Sequence, residues 1–214
     1  MRVGVIDYGV GNIGSVMRAL EELSATPILV STPADMKKVD KLILPGVGNF
    51  SDCARLLDEG GWMKALPEEV LANNKPLLGI CLGMQLLATL GTEGATKEMD
   101  DGMPGLDLIP GRIESLKTLG SSLRIPHVGW NEVTYHDAGN SLFSGIPELT
   151  DFYFVHSYAF VPINPDHVLA KTSYGIPVVA AVRSGNVYGT QFHPEKSSRA
   201  GFQLLDNFIK SPVC

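Results

Sequence analysis

The sequence predicts an α/β fold that is doubly wound, with a mostly parallel central sheet, flanking helices and an additional antiparallel strand section in its second half. Strand-like and helix-like patterns alternate over the first 90 residues, as they do when helices join parallel strands. Strand-like runs then follow one another with little helix between them. With 214 residues, 44% of them hydrophobic, and no linker-like segment, residues 1–214 are predicted to form a single domain.

Four predicted strands lie in the first half, and they are short and largely apolar, as buried parallel strands are. They are RVGVIDY, PILVS, KLILPG and PLLGI. Apolar residues recur at helical spacing over Ile13–Leu23, after the first strand. Ser51 and Asp52 begin a second helix, after the third strand. A third helix is predicted over Leu82–Leu90, stopped at Gly91.

Further strand-like runs occupy most of the second half. They are GRIESLK, VGWNEVTY, DFYFVHSYAFV, PVVAAVRS and NVYGTQF. Residues 184–186 suit a hairpin turn between the last two runs. Apolar residues return to helical spacing from Phe202 to Ile209, so a C-terminal helix is predicted, and residues 92–104 are predicted to be a polar loop.

Composition argues against several kinds of partner. Acidic residues outnumber basic ones by 23 to 17, whereas proteins that track phosphate backbones are usually basic, so no nucleic-acid partner is expected. No apolar stretch reaches the roughly 20 residues that span a bilayer, so no membrane association is expected. Cys53, Cys81 and Cys214 are far apart and form no CxxC pair, which fits a reducing cytoplasm. Neither a metal nor a cofactor is predicted.

The stretch GVGNIG, at residues 9–14, matches the G-x-G-x-x-G pattern of a dinucleotide-binding turn. That pattern also requires an acidic residue at the end of the second strand, where it binds the ribose. Here the strand ends in VSTP, and Asp35 lies beyond it. Because a tight turn also uses glycine for steric reasons alone, a nicotinamide-dependent oxidoreductase is an alternative, which tight NADH binding would support.

The stretch GICLG places Cys81 between two glycines, after an apolar strand and before a predicted helix. This is the pattern of a nucleophile elbow, in which small residues allow a strained bend that presents the nucleophile at the helix N-terminus. Amide groups and the helix dipole at that position favour the reactive thiolate. Most free cysteines are simply buried in a core, so a catalytic role requires a base elsewhere in the chain.

The stretch QFHPEKS supplies that base. His193 and Glu195 flank Pro194, which favours an extended backbone at His193, so that both side chains point to the same side. The carboxylate can orient the imidazole through Nδ1 and leave Nε2 to face a thiol. Cys81, His193 and Glu195 are therefore the predicted catalytic residues of a nucleophilic acyl transfer.

Acyl transfer also needs N–H donors for the developing oxyanion. One candidate is the amide of Leu82, directly after the nucleophile. The other candidate is the PGVG segment. Gly46 and Gly48, on either side of Val47, leave the backbone free to point N–H groups into a site. An ordinary turn explains the segment equally well. The remaining histidines are weaker candidates. His127 and His156 are predicted to be structural, and His136 and His167 are predicted to lie at the surface.

These residues together resemble the class I, or triad, glutamine amidotransferases. The resemblance covers nearly the whole chain, and the motifs that carry it are LPGVGNF, PLLGICLGMQLLA, GLDLIPG, YFVHSY and QFHPEKS. Within that family, IDYGVGNIGSV and IPHVGWNEV are most similar to the glutaminase subunits that serve imidazole glycerol phosphate synthesis, a part of histidine biosynthesis.

The resemblance implies that Cys81 attacks the side-chain amide of glutamine, releases ammonia and forms a thioester that is hydrolysed to glutamate. His193 would act as acid and base, and Glu195 would steer it. The backbone around residues 46–48 would reorient before the oxyanion hole is complete, which would keep activity low without a partner. Glutamine itself would be held by Gly83, Gln85, Ser157 and Tyr158.

A partner is expected because ammonia in neutral water is mostly protonated and not nucleophilic, so it has to be passed on sheltered. One α/β domain of this size leaves no room for a synthase domain, and the acceptor site is expected on another chain. In the resembling enzymes that chain is a (β/α)8-barrel cyclase, which forms a heterodimer and receives the ammonia through a tunnel. The resemblance indicates as interface residues Asn12, Arg18, Trp130, Tyr153 and Lys196.

Two further alternatives stay open. The glutaminase could serve another synthase, such as anthranilate synthase or the enzyme of a paralogous pathway. The chain could also be a non-catalytic binding or regulatory module on the same fold, in which Cys81 is merely buried. The Cys81→Ala variant would then keep its function, whereas a glutaminase would lose glutamine hydrolysis and keep its fold.

Overall fold

Strands from both halves of the chain join in one sheet in the computed structural model, which describes residues 1–95, 102–135 and 141–211. The strands are β1 (Arg2–Ile6), β2 (Thr26–Val30), β3 (Lys41–Gly46), β4 (Leu77–Cys81), β5 (Leu90–Gly91), β6 (Met103–Pro104), β7 (Gly111–Ser115), β8 (His127–Tyr135), β9 (Thr150–His156), β10 (Tyr158–Pro162), β11 (Val168–Ser173), β12 (Pro177–Ser184) and β13 (Val187–Thr190). The α-helices are α1 (Ile13–Glu22), α2 (Phe50–Glu59), α3 (Trp62–Leu71), α4 (Leu82–Gln85) and α5 (Ser198–Lys210). Short 3-10 helices cover Pro33–Lys38, Ser141–Phe143, Pro165–His167 and Pro194–Lys196.

The larger sheet of the described chain has nine strands, in the order β2-β1-β3-β4-β13-β12-β11-β8-β9. The first five run parallel to one another, and every pairing after β13 is antiparallel. A smaller sheet has the order β10-β7-β5-β6. The predicted parallel sheet with an antiparallel section in the second half is confirmed.

Helices cover both faces of the parallel strands, and this explains why these strands are apolar along their whole length. Every residue of β3 and β4 is buried. Leu44 of β3 packs in a cluster with α2 and α3, whereas the adjacent Ile43 packs in a cluster with α1 and α5. Because successive side chains of a strand point to opposite faces, one short strand contributes to the core on each side of the sheet.

The third predicted helix is wrong beyond its first turn. α4 ends at Gln85, and Leu90–Gly91 forms β5 instead. The carbonyls of Leu86 and Leu87 accept hydrogen bonds from backbone N–H groups of the loop that follows β6. These carbonyls are therefore engaged by a distant segment and do not continue the helix.

The run DFYFVHSYAFV forms two strands and not the single strand that was predicted. β9 ends at His156 in the larger sheet, and β10 begins at Tyr158 in the smaller one. Between them, the carbonyl of Ser157 accepts a hydrogen bond from the backbone N–H of Leu116. The chain thus crosses from one sheet to the other at Ser157.

Most of the remaining predictions hold, but Met103–Pro104, at the end of the predicted polar loop, forms β6. β12 and β13 form the predicted hairpin, with Ser184 opposite Val187, and the C-terminal helix is α5. The elements α3 and β11 were not predicted from the sequence. Part of the predicted polar loop at 92–104, together with His136 and Cys214, lies outside the described residues. Among the described helices, none has the length and apolar character that crossing a bilayer requires.

Candidate active site

Cys81 lies at a strained turn between β4 and α4. Its backbone has φ 54° and ψ −110°, in a region that residues with a side chain rarely adopt. The two flanking glycines make this turn possible, since a Cβ at Gly83 would overlap the carbonyl oxygen of Leu44, and one at Gly79 would lie 2.6 Å from the Gly83 oxygen. The predicted elbow is therefore present in the fold. Because α4 has only four residues, the dipole of a long helix does not act on the thiol.

The histidine reaches the elbow from the neighbouring strand. β13 lies parallel to β4, with Thr190 opposite Ile80, so that the chain leaving β13 passes the end of β4. His193 Nδ1 lies 2.9 Å from Glu195 Oε1, and both side chains are buried. The spacing of the His-Pro-Glu motif thus brings imidazole and carboxylate together, as predicted.

Asn12 completes this arrangement from the other end of the chain. It stands before the first residue of α1, yet its side chain makes no capping bond to that helix. Instead, Asn12 Nδ2 donates a hydrogen bond to Glu195 Oε1 at 3.0 Å. Sequence reasoning placed Asn12 at an interface and missed this contact, because the two residues are far apart in the chain.

The protonation of the pair follows from its contacts. Burial lowers the pKa of His193, but the neighbouring Cys81 thiol and the hydrogen bond to Glu195 outweigh burial and raise this pKa to about 9. Burial raises the pKa of Glu195, and the hydrogen bonds from His193 and Asn12 reverse this effect and hold the pKa below its ordinary value. The site therefore favours an imidazolium beside a carboxylate at neutral pH.

Cys81 and His193 open on a shared cavity of about 360 Å³. His193 Nε2 is buried and has no hydrogen-bond partner among the described residues, so this nitrogen is available to a reacting group. The predicted substrate and oxyanion residues on the cavity wall are Val47, Gly48, Leu82, Gln85, Ser157 and Tyr158. Gly46 and Gly83, which were predicted for the same roles, are not among the described residues that line it. Residues that sequence reasoning did not assign to a site also line it, namely Glu93, Pro126 and Val155, as does Lys196, which was predicted for an interface.

The predicted oxyanion segment lies beside the elbow. Gly46 pairs with Cys81 in the β3–β4 register, and Val47 and Gly48 follow it at the cavity. A side chain at Gly46 would come 2.7 Å from the backbone nitrogen of Gly83, so glycine allows the two backbones to approach. The thiol of Cys53 donates to the Val47 carbonyl at 3.5 Å, and this contact holds the segment from the side of α2.

Gln85, which lines the cavity, and Gln191 support the nucleophile. Gln85 Nε2 donates to the Tyr158 carbonyl at 3.1 Å and to Gln191 Oε1 at 3.0 Å. Gln191 Nε2 in turn lies 3.7 Å from Cys81 Sγ, and the thiol lies 3.7 Å from the carbonyl of Val155. Gln191 begins the QFHPEKS motif, but sequence reasoning gave it no role; its contact with Cys81 depends on the pairing of β13 with β4.

The other histidines fall into two groups. His127 and His156 are buried and hydrogen-bonded to each other at 3.0 Å, as structural residues would be, although His156 also lines the cavity. His167 is half-buried, in contrast to the surface position that was predicted.

Four of the predicted interface residues lie at or next to the segment that carries His193: Asn12, Trp130, Tyr153 and Lys196. Asn12 and Tyr153 are half-buried, and the exposed ones are Arg18, Trp130 and Lys196. The rings of Trp130 and Tyr153 contact edge to face, with centroids 6.0 Å apart. Arg18 Nη2 donates to Ser15 Oγ on its own helix at 3.4 Å, a contact that does not link it to the others.

The sequence matches the family described as "Glutamine amidotransferase class-I" over residues 4–211. The chain belongs to this family. Two amidotransferase relatives are each 43% identical to it. They are imidazole glycerol phosphate synthase subunit HisH 1 of Campylobacter jejuni (strain RM1221), aligned over 97% of this chain and 99% of the relative, and subunit HisH of Moorella thermoacetica, aligned over 96% and 93%.

The solved structure of PurLQS from Thermotoga maritima agrees in fold, with a TM-score of 0.70 at 18% identity over 97% of both chains. The glycine-rich turn at residues 9–14 contains Asn12, whose side chain donates a hydrogen bond to Glu195. The nicotinamide alternative gains no support from the family or from the turn.

Proposed function

We propose that this amidotransferase is the glutaminase subunit of an imidazole glycerol phosphate synthase in histidine biosynthesis. It hydrolyses glutamine to glutamate and ammonia and passes the ammonia to a cyclase subunit. The observation that carries the proposal is a cysteine on a strained elbow that shares one cavity with a buried histidine–glutamate pair. Similarity over nearly the whole length of two synthase subunits supports the choice of synthase.

The first chemical step is an attack of the Cys81 thiolate on the carboxamide carbon of glutamine. A C–S bond forms, and the carbonyl oxygen takes the negative charge, which the N–H groups of Leu82 and of the Val47–Gly48 segment stabilise. The protonated His193 then gives its Nε2 proton to the departing nitrogen, the C–N bond breaks, and ammonia leaves a thioester behind.

Hydrolysis of the thioester returns the enzyme to its starting state. His193 removes a proton from water through Nε2, and the hydroxide adds to the thioester carbon. Collapse of this intermediate breaks the C–S bond, releases glutamate and restores the thiolate beside an imidazolium. Glu195 accepts the Nδ1 hydrogen bond throughout, and Asn12 holds the carboxylate in place.

Substrate recognition requires groups for the charged end of glutamine. Glu93 lines the cavity, and its Oε2 accepts the backbone N–H of Phe50 at 2.9 Å, which orients the carboxylate. We assign Glu93 to the α-ammonium group of glutamine. Gln85 acts with it, and the remaining contacts come from Ser157 and Tyr158, which the crossing between the two sheets brings to the cavity.

The partner is assigned to the outer surface of β8 and β9. Four of the side chains on this surface form what we call the β8–β9 face: Val128, Trp130, Tyr153 and Val155. Val128 lies opposite Val155 and Trp130 opposite Tyr153 in the strand register, so all four share one side of the sheet. Trp130 is 54% exposed, which is costly for so large an apolar side chain and typical of an interface anchor.

A (β/α)8-barrel cyclase on this face would lie next to the cavity, because Val155 belongs to both. Ammonia could then leave without meeting bulk water, which would protonate it. Asn12, Arg18 and Lys196 would extend the interface beyond the apolar face. We place the reaction in the cytoplasm, which the free thiols of Cys53 and Cys81 support because they persist in a reducing compartment.

The decisive experiment measures glutamate production from glutamine with and without the purified cyclase subunit. The cyclase should raise the turnover of the wild type, and Cys81→Ala should abolish it while fold and cyclase binding are retained. The Cys81→Ala complex supplied with ammonium salt at high pH serves as the control, since the cyclase reaction should then proceed. Retained activity in Cys81→Ala would contradict the mechanism, and strong turnover unaffected by the cyclase would contradict the partner.

A further inference from the structure

Strand β9 is the last strand of the larger sheet, and its outer edge is covered by the turn that carries the histidine. The N–H of His193 donates to the carbonyl of Tyr153 at 3.0 Å. The N–H of Tyr153 donates in turn to Ser197 Oγ at 3.0 Å. Both backbone groups of one strand residue are therefore bonded to the segment at 193–197.

Ser197 closes this arrangement into a ring. Its side chain is buried, with the residue 1% exposed, and its Oγ donates to the carbonyl of His193 at 2.6 Å. The hydroxyl thus accepts from Tyr153 and donates to His193 at the same time. The backbone of His193 is consequently held at its N–H by the carbonyl of Tyr153, and at its carbonyl by Ser197 Oγ together with the N–H of Lys196 in the same turn.

The same strand also reaches the nucleophile. Two residues after Tyr153, the carbonyl of Val155 lies 3.7 Å from Cys81 Sγ. The side chains of Tyr153 and Val155 belong to the β8–β9 face, where they meet Trp130 and Val128. One stretch of three residues therefore presents side chains to the docking face and main-chain groups to both ends of the reacting pair.

We propose that Ser197 is a positioning residue that fastens His193 to strand β9, so that docking of the cyclase on the β8–β9 face fixes the imidazole in its reactive position. The inference rests on the proposed function. A shift of Tyr153 is passed to His193 through their direct backbone hydrogen bond and, in parallel, through the hydroxyl of Ser197, which bonds both residues. A displacement of about 1 Å at a catalytic group can lower a rate roughly 100-fold.

The test compares Ser197→Ala with the wild type, measuring kcat and KM for glutamine with and without saturating cyclase and the Kd of the complex. Ser197→Ala should lower the cyclase-stimulated kcat about tenfold, with KM and Kd within about twofold, so that the ratio of stimulated to partner-free activity falls. Ser197→Thr, which keeps the hydroxyl, should restore the ratio. Ser121→Ala is the matched control, because it removes another buried hydroxyl, bonded to the Tyr174 carbonyl away from His193.

Should Ser197→Ala fail to fold, Ser197→Cys replaces it, with the same expectation, because a thiol fills the space but bonds weakly. A merely structural role would lower the melting temperature and leave the ratio per folded molecule unchanged, and this would overturn the inference. An equal fall of partner-free and stimulated activity, or a loss of cyclase binding, would overturn it as well. If the cyclase leaves the glutaminase turnover of the wild type unchanged, this result would instead refute the proposed function, and the inference with it.

Discussion

The two carboxylates of the cavity region differ in what holds them. Glu195 is fully buried and receives hydrogen bonds from two side chains, which keep its pKa low. Glu93 is held by a backbone N–H, and burial raises its pKa. A carboxylate whose hydrogen bonds come from protein side chains orients its neighbours, whereas one on a cavity wall can pair with a cationic group of a ligand.

Removing the charge of Glu93 should therefore weaken substrate binding and spare the chemistry. We expect Glu93→Gln to raise KM for glutamine roughly 30-fold, since a hydrogen bond to a charged group contributes about 2 kcal/mol. The change in kcat at saturating glutamine should be small by comparison. Steady-state kinetics of the cyclase complex would measure both, with Glu68→Gln on the exposed side of α3 as control. A large fall in kcat at unchanged KM would place Glu93 in the chemistry instead.

At the scale of elements, β8 and β9 share a buried pair of histidines that lie directly opposite each other. His156 Nδ1 is 2.8 Å from the carbonyl of Tyr158, which can only accept, so this nitrogen carries the proton. His156 Nε2 then accepts from His127 Nδ1. His127 Nε2 is left to accept from the side-chain amide of Asn131 at 3.3 Å. The chain of bonds requires both rings to be neutral.

This pair should make the protein sensitive to acid. Burial lowers the pKa of His127 to about 4 and that of His156 to about 3. Below pH 6.5 the unfolded chain therefore binds protons that the folded chain does not, and the free energy of unfolding falls as the pH falls. The loss is about 2 kcal/mol per histidine at pH 5, from 1.36 kcal/mol per pH unit.

Urea unfolding at several pH values between 5 and 8 measures this loss. His127→Gln should show a smaller decrease of the free energy of unfolding between pH 6.5 and pH 5 than the wild type. His193 adds nothing to that window, because its raised pKa makes its contribution disappear only as the pH rises from 6.5 towards 9. A variant whose pH dependence matches that of the wild type would show that the pair is protonated in the folded state.

On the scale of the whole molecule, the sheet has two edges with different surroundings. At one edge β2 exposes Leu29, and at the other β8 and β9 expose the face centred on Trp130. The second edge lies next to the cavity, because Val155 of β9 lines it, whereas none of the described residues that line it belongs to β2. We therefore expect a partner that receives ammonia to bind at the β9 edge and not at the β2 edge.

Truncation of Trp130 should weaken binding of the cyclase. We expect Trp130→Ala to raise the Kd about 30-fold, a loss of about 2 kcal/mol that is typical of an interface anchor. Leu29→Ala removes a similarly exposed apolar side chain from the opposite edge and should leave the Kd unchanged. Calorimetric titration with the purified cyclase would measure both. Equal effects of the two substitutions would exclude the β8–β9 face as the docking surface.

Features that depend on neighbouring residues were predictable from the sequence. The elbow at Cys81, the orientation of His193 by Glu195 and the apolar parallel strands all follow from backbone preferences and spacing within a few residues. The family resemblance rests on the same short motifs. Such features are local because glycine, proline and the alternation of side chains act on the backbone where they stand.

Only the tertiary structure decided which distant groups complete the site. Asn12 binds a carboxylate 183 residues away, and Ser197 joins the histidine to β9. The early end of α4 likewise depends on a distant loop, whose N–H groups donate hydrogen bonds to the carbonyls of Leu86 and Leu87. These contacts depend on the order of strands in the sheet, which brings together segments that are far apart in the chain. No periodic pattern in the sequence relates such segments, so the sequence alone did not reveal the contacts.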